Sequence, residues 1–388
     1  PLRILKAVAV LCVLTWIVDG FLLMRSESPR PVSPFNPNLT SRYVGAIHVH
    51  SLYSDGGGTV STVVQAGQET GLDFIILTDH GTLQPRYDGY QKYYGDLLLL
   101  VGEEVNTSAG HLLSLGVGSH VEQQGPRGLN ELLAKISNSG GLSIVAHPTG
   151  RRPWTDWSLE QFDGLELFNA DTAWRDDHLG ELARALVFLP FMPDEVFNSL
   201  VDRPQKAIRL WLKHSKRRQV TAIGSVDAHE RIPLWGDRYL AFPSYERLFG
   251  LVRTYVITES QLTGKVDIDE EILLNALRLG NCYIVLEGYE PAPGFSFEIE
   301  MGEQTLSMGS RVEFRSGSRF QVSAPSSGPV KIILYRNGVS LAETEGHELL
   351  VEVPGPGIYH IETYQLRTQY RSGDRPRIWI ISNAIRVE

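Results

Sequence analysis

From residue 43 to about residue 229 the chain alternates short apolar runs with amphipathic stretches. The runs 43–49, 73–78, 97–101, 112–116, 142–146, 164–168 and 220–225 have strand length, and FIILT and LSIVA among them are almost wholly apolar. A strand that is apolar on both faces suits a parallel sheet covered by helices. Between these runs, 59–70 and 128–138 carry helical spacing and end near Gly71 and Gly140. Segment 204–218 opens on a proline and finishes basic, as a helix dipole favours. The alternation predicts an α/β fold, with a barrel of βα units preferred over an open sheet. In such barrels the chemistry sits at the C-terminal ends of the strands.

Beyond residue 290 the period changes. FSFEIEM, RVEFR, RFQVS, VKIILYRNG, LLVEVPG and IYHIETY alternate apolar and polar positions, and Asn337-Gly338 is a two-residue hairpin signal. This region predicts a small antiparallel β-sandwich, with 268–280 as the helix that precedes it. At the other end, residues 7–24 form an apolar run behind Arg3 and Lys6, long enough for one bilayer span. No small-residue cleavage site follows, so an uncleaved signal anchor is preferred, with a cleaved signal peptide as the alternative. The leading basic residues place the N-terminus inside and the body outside. Residues 25–40 are rich in proline and serine and read as an extended stalk. The expected organisation is therefore 1–24 anchor or signal peptide, 25–40 stalk, 41–289 barrel and 290–388 sandwich. The expected location is a membrane-anchored, extracytoplasmic body, or a secreted or periplasmic one after cleavage.

Composition narrows the function classes. A chain of 388 residues with 42% hydrophobic and 21% charged residues suits two globular domains and excludes disordered or polytopic membrane proteins. The net charge of −9 argues against stable binding of duplex nucleic acid. Only Cys12 and Cys282 are present, the first in the apolar run, which excludes a disulfide framework and a thiolate metal site.

The histidines carry the chemistry. His48 and His50 end the first strand, and residues two apart on a strand share a face, so both imidazoles can grip one metal ion. Asp55 follows in a glycine-rich loop. Asp79-His80 closes the second strand, and Glu103 and Glu104 follow the strand at 97–101. His111 stands just before 112–116 in a loop leaving the same rim, His147 ends 142–146, and Asp227-Ala228-His229 follows 220–225. Five of the eleven histidines thus fall at strand ends, with His111 a sixth beside them. The others, His120, His178, His214, His347 and His360, read as surface or core residues. Glu166 and Asn169 end another strand and are candidates for orienting the ligands.

The series HVHSLYSDG, LTDHG, VGEEV…GH, VAHP and GSVDAH resembles the PHP (polymerase and histidinol phosphatase) superfamily of metal-dependent phosphoesterases. The resemblance covers about residues 43–229 and extends towards the helix and sandwich beyond. It implies a distorted, TIM-like barrel of seven βα units holding two to three divalent ions, usually Zn, Mn or Fe. It also implies three ligand sets. His48, His50, a bridging glutamate and Asp227 would take one ion. That glutamate, His111 and His147 would take a second, and Asp55, His80 and His229 a third. Glu104 is preferred as the bridge because the family's Gly-x-Glu matches Gly102-Glu103-Glu104; Glu103 is the alternative.

Nitrogen and oxygen donors suit borderline and hard divalent ions. Two close ions make water acidic enough to supply hydroxide near neutral pH and neutralise charge growing on phosphorus. The expected function is hydrolysis of a phosphate ester, a monoester in preference to a diester, with Glu104 in the bridge and Asp227 or His229 beside the leaving oxygen. The expected substrate is small and phosphorylated, a nucleotide or short oligonucleotide being within that class; the sequence leaves protein partners open. Arg151 and Arg152 are candidate phosphate clamps, with solvated loop charges as the plainer alternative. Trp154 and Trp157, in the same loop, either stack on a substrate or pack in the core. Lys213, Lys216, Arg217 and Arg218 are explained by the helix dipole. Two rival functions remain open at this level: a binding or sensory module with structural metals, and a hydrolase of other esters or amides.

Overall fold

The computed structural model describes residues 41–125, 128–150, 152–159, 161–170, 202–234, 238–288, 290–366 and 376–388. The apolar run at 7–24, the stalk, Arg151 and His178 lie outside the described residues. Among the described residues no helix is long and apolar enough to cross a membrane.

In chain order the first strands are β1 (Ser41–Val49), β2 (Phe74–Leu77), β3 (Lys92–Tyr94), β4 (Leu97–Val101), β5 (Glu103–Thr107), β6 (Gly110–Leu115), β7 (Leu142–Val145), β8 (Gly164–Asn169) and β9 (Thr221–Ser225). The short hairpin β10 (Ile232–Pro233) and β11 (Tyr239–Leu240) follows, then β12 (Arg253–Thr258) and β13 (Cys282–Val285). β1, β2 and β4 lie parallel, with β3 antiparallel on their outer edge. β5 to β9 form a five-stranded sheet in chain order. Within it β5, β6 and β7 are antiparallel and β7, β8 and β9 parallel, so the expected all-parallel arrangement is interrupted by a hairpin.

The apolar runs are explained by burial on both faces. Phe74, Ile76, Leu98 and Leu100 join Leu113, Ile144 and Ile223 in one cluster between the two sheets, reached also by Leu273 and Leu277 of the helix Val266–Leu279. The alternate residues Ile75, Leu77, Leu97, Leu99 and Val101 join a second cluster with Val63 and Ala66 of the helix Val60–Glu69. Each such side chain contributes about 2 kcal/mol on burial. Gly45 sets the approach of β1 to β2: a Cβ there would lie 2.2 Å from the Phe74 ring.

Among the described residues no sheet closes on itself. The two sheets meet at two seams, through the isolated bridges Val49–Ala228 and His80–Glu104. The ladder of β1 shifts register between Ile47 and Val49 because His48 adopts φ 69° and bulges out of it.

The C-terminal strands build a β-rich region. Gln304–Ser307, Ser296–Met301, Arg319–Ser323 and Glu348–Glu352 pair in that order as a four-stranded sheet. Its inward residues, Phe297 and Phe320 among them, share a buried cluster with Tyr359 and Trp379 of the larger sheet. Asn337 and Gly338 take φ values of 53° and 82° and turn Val330–Arg336 back into Val339–Glu345, as the dipeptide predicts. Val339–Glu345 itself escaped the sequence reading because almost every position in it is exposed. The region is not cut off at residue 290, since Arg377–Ser382 pairs antiparallel with β13 and so extends the sheet that contains β1.

Arg203, just ahead of the helix Gln205–Ser215, donates to both oxygens of the buried Glu362 at 2.6 and 2.5 Å, and the Tyr364 hydroxyl donates at 2.5 Å. Burial would raise the Glu362 carboxyl, but His360 and Arg203 outweigh it and hold it down at about 2 from an ordinary 4.5. A depressed carboxyl stabilises the fold above its unfolded pKa and loses that contribution as pH falls towards its folded one. In urea titrations Glu362→Gln should therefore cost roughly 3 kcal/mol near neutral pH, the difference from wild type vanishing between about pH 5 and pH 2.

Candidate metal centre

The seam between β1 and β9 assembles the centre. The chain after β9 runs parallel to the end of β1, Val226 and Ala228 donating main-chain N–H bonds to the carbonyls of Ile47 and His48, and His50 donating to Ala228. Asp227 is thereby brought beside His48 and His50. The expected reason for the His-x-His pair needs correction. His50 lies beyond β1 and His48 is the bulged residue, so the rings converge through a left-handed residue and not through strand alternation. His147 at φ 27° and Asp227 at φ 48° share this unusual backbone. Non-glycine residues held at positive φ are strained and cluster at functional sites.

Glu104 lies at the middle and is 1% exposed. Its Oε2 is 3.2 Å from His48 Nε2, 3.3 Å from His50 Nε2 and 3.1 Å from His80 Nδ1. Its Oε1 is 2.7 Å from His111 Nδ1 and 3.1 Å from His147 Nε2. Asp227 Oδ1 lies 3.3 Å from the Nε2 atoms of both His48 and His50. Asp55 closes the outer side, with Oδ1 3.2 Å from His229 Nε2 and Oδ2 3.7 Å from His80 Nε2. Three sets of donor atoms fall close enough for one ion each: His48, His50, Glu104 and Asp227; His50, Asp55, His80 and His229; and His80, Glu104 and His111. His50, His80 and Glu104 thus each belong to two sets, and His147 reaches the centre through Glu104. His111 belongs to β6 and not to a loop; its antiparallel direction puts the start of that strand on the rim.

Glu103 takes no part. It faces the other way, 2.5 Å from His120 Nδ1, and accepts the Val121 N–H. Glu166 and Asn169 stand behind the ligands. Glu166 accepts Nδ1–H of His48 at 2.6 Å and the main-chain N–H of His147 at 2.6 Å, while Asn169 donates to Glu166 and to Asp227. Asp79 is a residue whose role the sequence did not reveal. It is buried, accepts from the Ser51 N–H and the Ser51 and Ser54 hydroxyls, and so ties the loop carrying Asp55 to the strand end carrying His80. The signal was there in the Ser-x-x-Ser spacing of that loop. Arg152 is exposed, and Trp154 is buried with its indole N–H on the Asp156 carbonyl. Trp157 packs against Phe162 and His214. Both tryptophans are thus packing residues.

The donors fit a metal. His48 Nε2, His50 Nε2 and His80 Nδ1 are buried and have no hydrogen-bond partner, although each faces carboxylate oxygens. With Nδ1–H of His48 committed to Glu166, its Nε2 lone pair points at two acceptors. Only a proton or a metal cation relieves that. The charges agree. Burial would lower His48, but Asp227, Glu104 and Glu166 raise it well above its ordinary value. The Asp227 and Glu104 carboxylates likewise overcome burial at His50 and push it up to about 9. Against burial, the same imidazoles hold Glu104 and Asp227 well below the carboxylate range.

A family model for the PHP domain matches residues 46–216. The chain contains a PHP domain. The match takes in His48, His50, Asp55, His80, Glu104, His111 and His147, and Asp227 and His229 lie beyond it. No curated protein matches the chain. Among solved structures, the PHP domain and its C-terminal strands are similar to a two-domain protein from Bacteroides vulgatus described as containing a predicted PHP-like metal-dependent phosphoesterase. That pair is 15% identical over 92% of this chain and 99% of the other, with a TM-score of 0.44. A protein from Bifidobacterium adolescentis, described as a candidate metal-dependent phosphoesterase, is 15% identical over 48% of this chain and 87% of its own, at a TM-score of 0.29. An amidohydrolase from Chromobacterium violaceum with bound sulfate and no metal is 13% identical over 48% and 87%, at 0.28.

Two outcomes follow from this geometry. Ligation needs neutral imidazole, so loading the metal-free PHP domain must expel the proton that His50 retains up to about pH 9. Zinc affinity should therefore climb about tenfold per pH unit, for each proton released, between about pH 6 and pH 8. Competition with a chromophoric chelator measures this, and a flat profile would contradict a protonated His50. In the same assay Glu166→Gln should weaken zinc binding about 10- to 100-fold while far-ultraviolet circular dichroism is unchanged.

Proposed function

We propose that the protein hydrolyses a phosphate ester, a monoester in preference to a diester, using two to three divalent ions of zinc, manganese or iron. The observation that carries this reading is the convergence of three buried, unpartnered imidazole nitrogens and Asp227 on the one carboxylate of Glu104. His48, His50, Glu104 and Asp227 would hold one ion, Glu104, His111 and His147 a second, and Asp55, His80 and His229 a third. When bound, such ions supply Lewis acidity that neutralises phosphoryl oxygens and brings the ionisation of water near neutral pH.

The protein's own groups prepare this. Glu104 presents a separate oxygen to each of two histidine groups, the disposition a bridging carboxylate needs. Glu166 fixes the tautomer of His48 and the backbone of His147, so neither ring reorients as charge develops. His229 Nδ1 lies 2.9 Å from the Asp227 carbonyl, which it serves as donor, leaving Nε2 directed at Asp55. Asp227 or His229, placed beside the leaving oxygen, would assist its protonation. The residue set forms part of the rim of two sheets that act together as the walls of a distorted, seven-stranded barrel, with the β-rich residues 290–388 appended. In the same reading residues 1–24 tether this body to the outer face of a membrane through the stalk at 25–40. The substrate is a small phosphorylated compound, nucleotides included.

Elemental analysis of the purified full chain is expected to find two to three equivalents of zinc, manganese or iron. Glu104→Ala and His147→Ala should each lower turnover of phosphate esters by on the order of 10³-fold or more with the fold intact. A protein that holds no metal after reconstitution, or variants that keep the wild-type rate, would overturn the reading.

A further inference from the structure

Two residues past His229 the chain carries Arg231 and then turns through the β10–β11 hairpin. Arg231 is half-buried. Its Nη1 donates to the main-chain carbonyl of Asp55 at 3.4 Å, and its guanidinium carbon lies 4.9 Å from the centre of the Tyr239 ring. Tyr239 donates its hydroxyl to the Gly57 carbonyl at 3.1 Å, and Gly57 donates its N–H to the His229 carbonyl at 2.6 Å. The hairpin is thus fastened to the loop that carries Asp55, and the guanidinium reaches the main chain of Asp55, itself a member of the outer donor set.

Arg231 forms no ion pair among the described residues. Three other partly buried guanidiniums are neutralised, Arg86 by Glu270, Arg203 by Glu362 and Arg253 by Glu287, whereas Arg278 and Arg336, away from the metal centre, bond main-chain carbonyls as Arg231 does. An aromatic face and a single carbonyl orient a guanidinium without cancelling its charge, and leave most of its donor fork unused. A fixed, uncancelled fork beside a centre of this kind is suited to a planar pair of phosphoryl oxygens.

Resting on the phosphoesterase reading above, we propose that Arg231 binds a terminal phosphoryl oxygen of the substrate and makes the site select a monoester dianion over a diester. A monoester has three non-bridging oxygens and two negative charges. A diester replaces one of those oxygens with an alkylated one that offers the guanidinium no charge. Tyr239 is the positioning residue that holds the guanidinium against its ring beside the Asp55 loop, and lysine, a point charge without the fork, does not replace arginine.

The test compares 4-nitrophenyl phosphate with methyl 4-nitrophenyl phosphate, which share a leaving group, on the metal-loaded full chain. Metal content and the Kd for inorganic phosphate are measured alongside. In Arg231→Met, kcat/KM for the monoester and the affinity for phosphate are expected to fall about 10- to 100-fold, while the diester rate and metal content stay within about threefold. Arg231→Lys should recover little of the loss. Tyr239→Leu, which leaves the arginine in place, should shift the monoester-to-diester ratio the same way by a smaller factor and provides the test if Arg231→Met does not fold. An unchanged ratio and unchanged phosphate affinity overturn the assignment of Arg231 and leave the phosphoesterase reading standing. A metal-loaded wild type that neither binds phosphate nor cleaves either ester overturns both.

Discussion

A carboxylate enclosed by imidazoles sets the terms for the rest of the molecule. Glu104 is almost wholly shut off from water, and an ionised group in that position is costly unless it is compensated. Around it stand His48, His50, His80, His111 and His147, yet only His111 is within 3 Å. His48 has already given its one neutral-form proton to Glu166. The cluster can therefore be neutralised in two ways, by extra protons on the imidazoles or by cations among them. The raised His48 and His50 and the depressed Glu104 and Asp227 are the signature of the first, and the orphaned nitrogens mark the places of the second.

Holding such a cluster together demands backbone that ordinary strands do not supply. His48, His147 and Asp227 all sit at positive φ, at the points where ladders end or slip. Strain of this order, about 1–3 kcal/mol per residue, persists only over a support that does not yield. That support is the cluster of Phe74, Ile76, Leu98, Leu100, Leu113, Ile144 and Ile223, buried between the two sheets immediately below the rim. The same bulge that aims His48 inward breaks the ladder of β1. The seam with β9 is consequently a single bridge and a few main-chain bonds, and among the described residues no closed sheet forms.

What could be read from the sequence follows from this division. The apolar runs that became β2, β4 and β7 were legible because burial on both faces leaves an unmistakable pattern. The residues placed at their ends were legible because polar groups abutting such runs have no packing role. The conformations that unite them were not, since nothing local distinguishes a bulged His48 from one in regular strand. Glu103 and Glu104 are adjacent and chemically identical, and only the facing of β5 sends one to His120 and the other to the centre. Exposed strands such as Val339–Glu345 have no apolar period to betray them, and the pairing of Arg377–Ser382 with β13 is a long-range contact that no local pattern encodes.

The centre is graded from a closed interior to an open edge. His48 and His50 are fully buried, whereas His80 is 25%, His229 18% and Asp55 53% exposed. The inner donors are fixed by strands and by Glu166. The outer set depends on the loop from Ser51 to Asp55, which the buried Asp79 ties down through Ser51 and Ser54. A purely structural metal site has no need of such an edge, because all its donors can be enclosed. Here the exposed donors lie where water and a substrate can arrive, and the loop that carries Asp55 is the one to which Arg231 and Tyr239 attach. On the proposed reading, an anionic ester entering from that side would meet the Arg231 guanidinium beside the exposed donors.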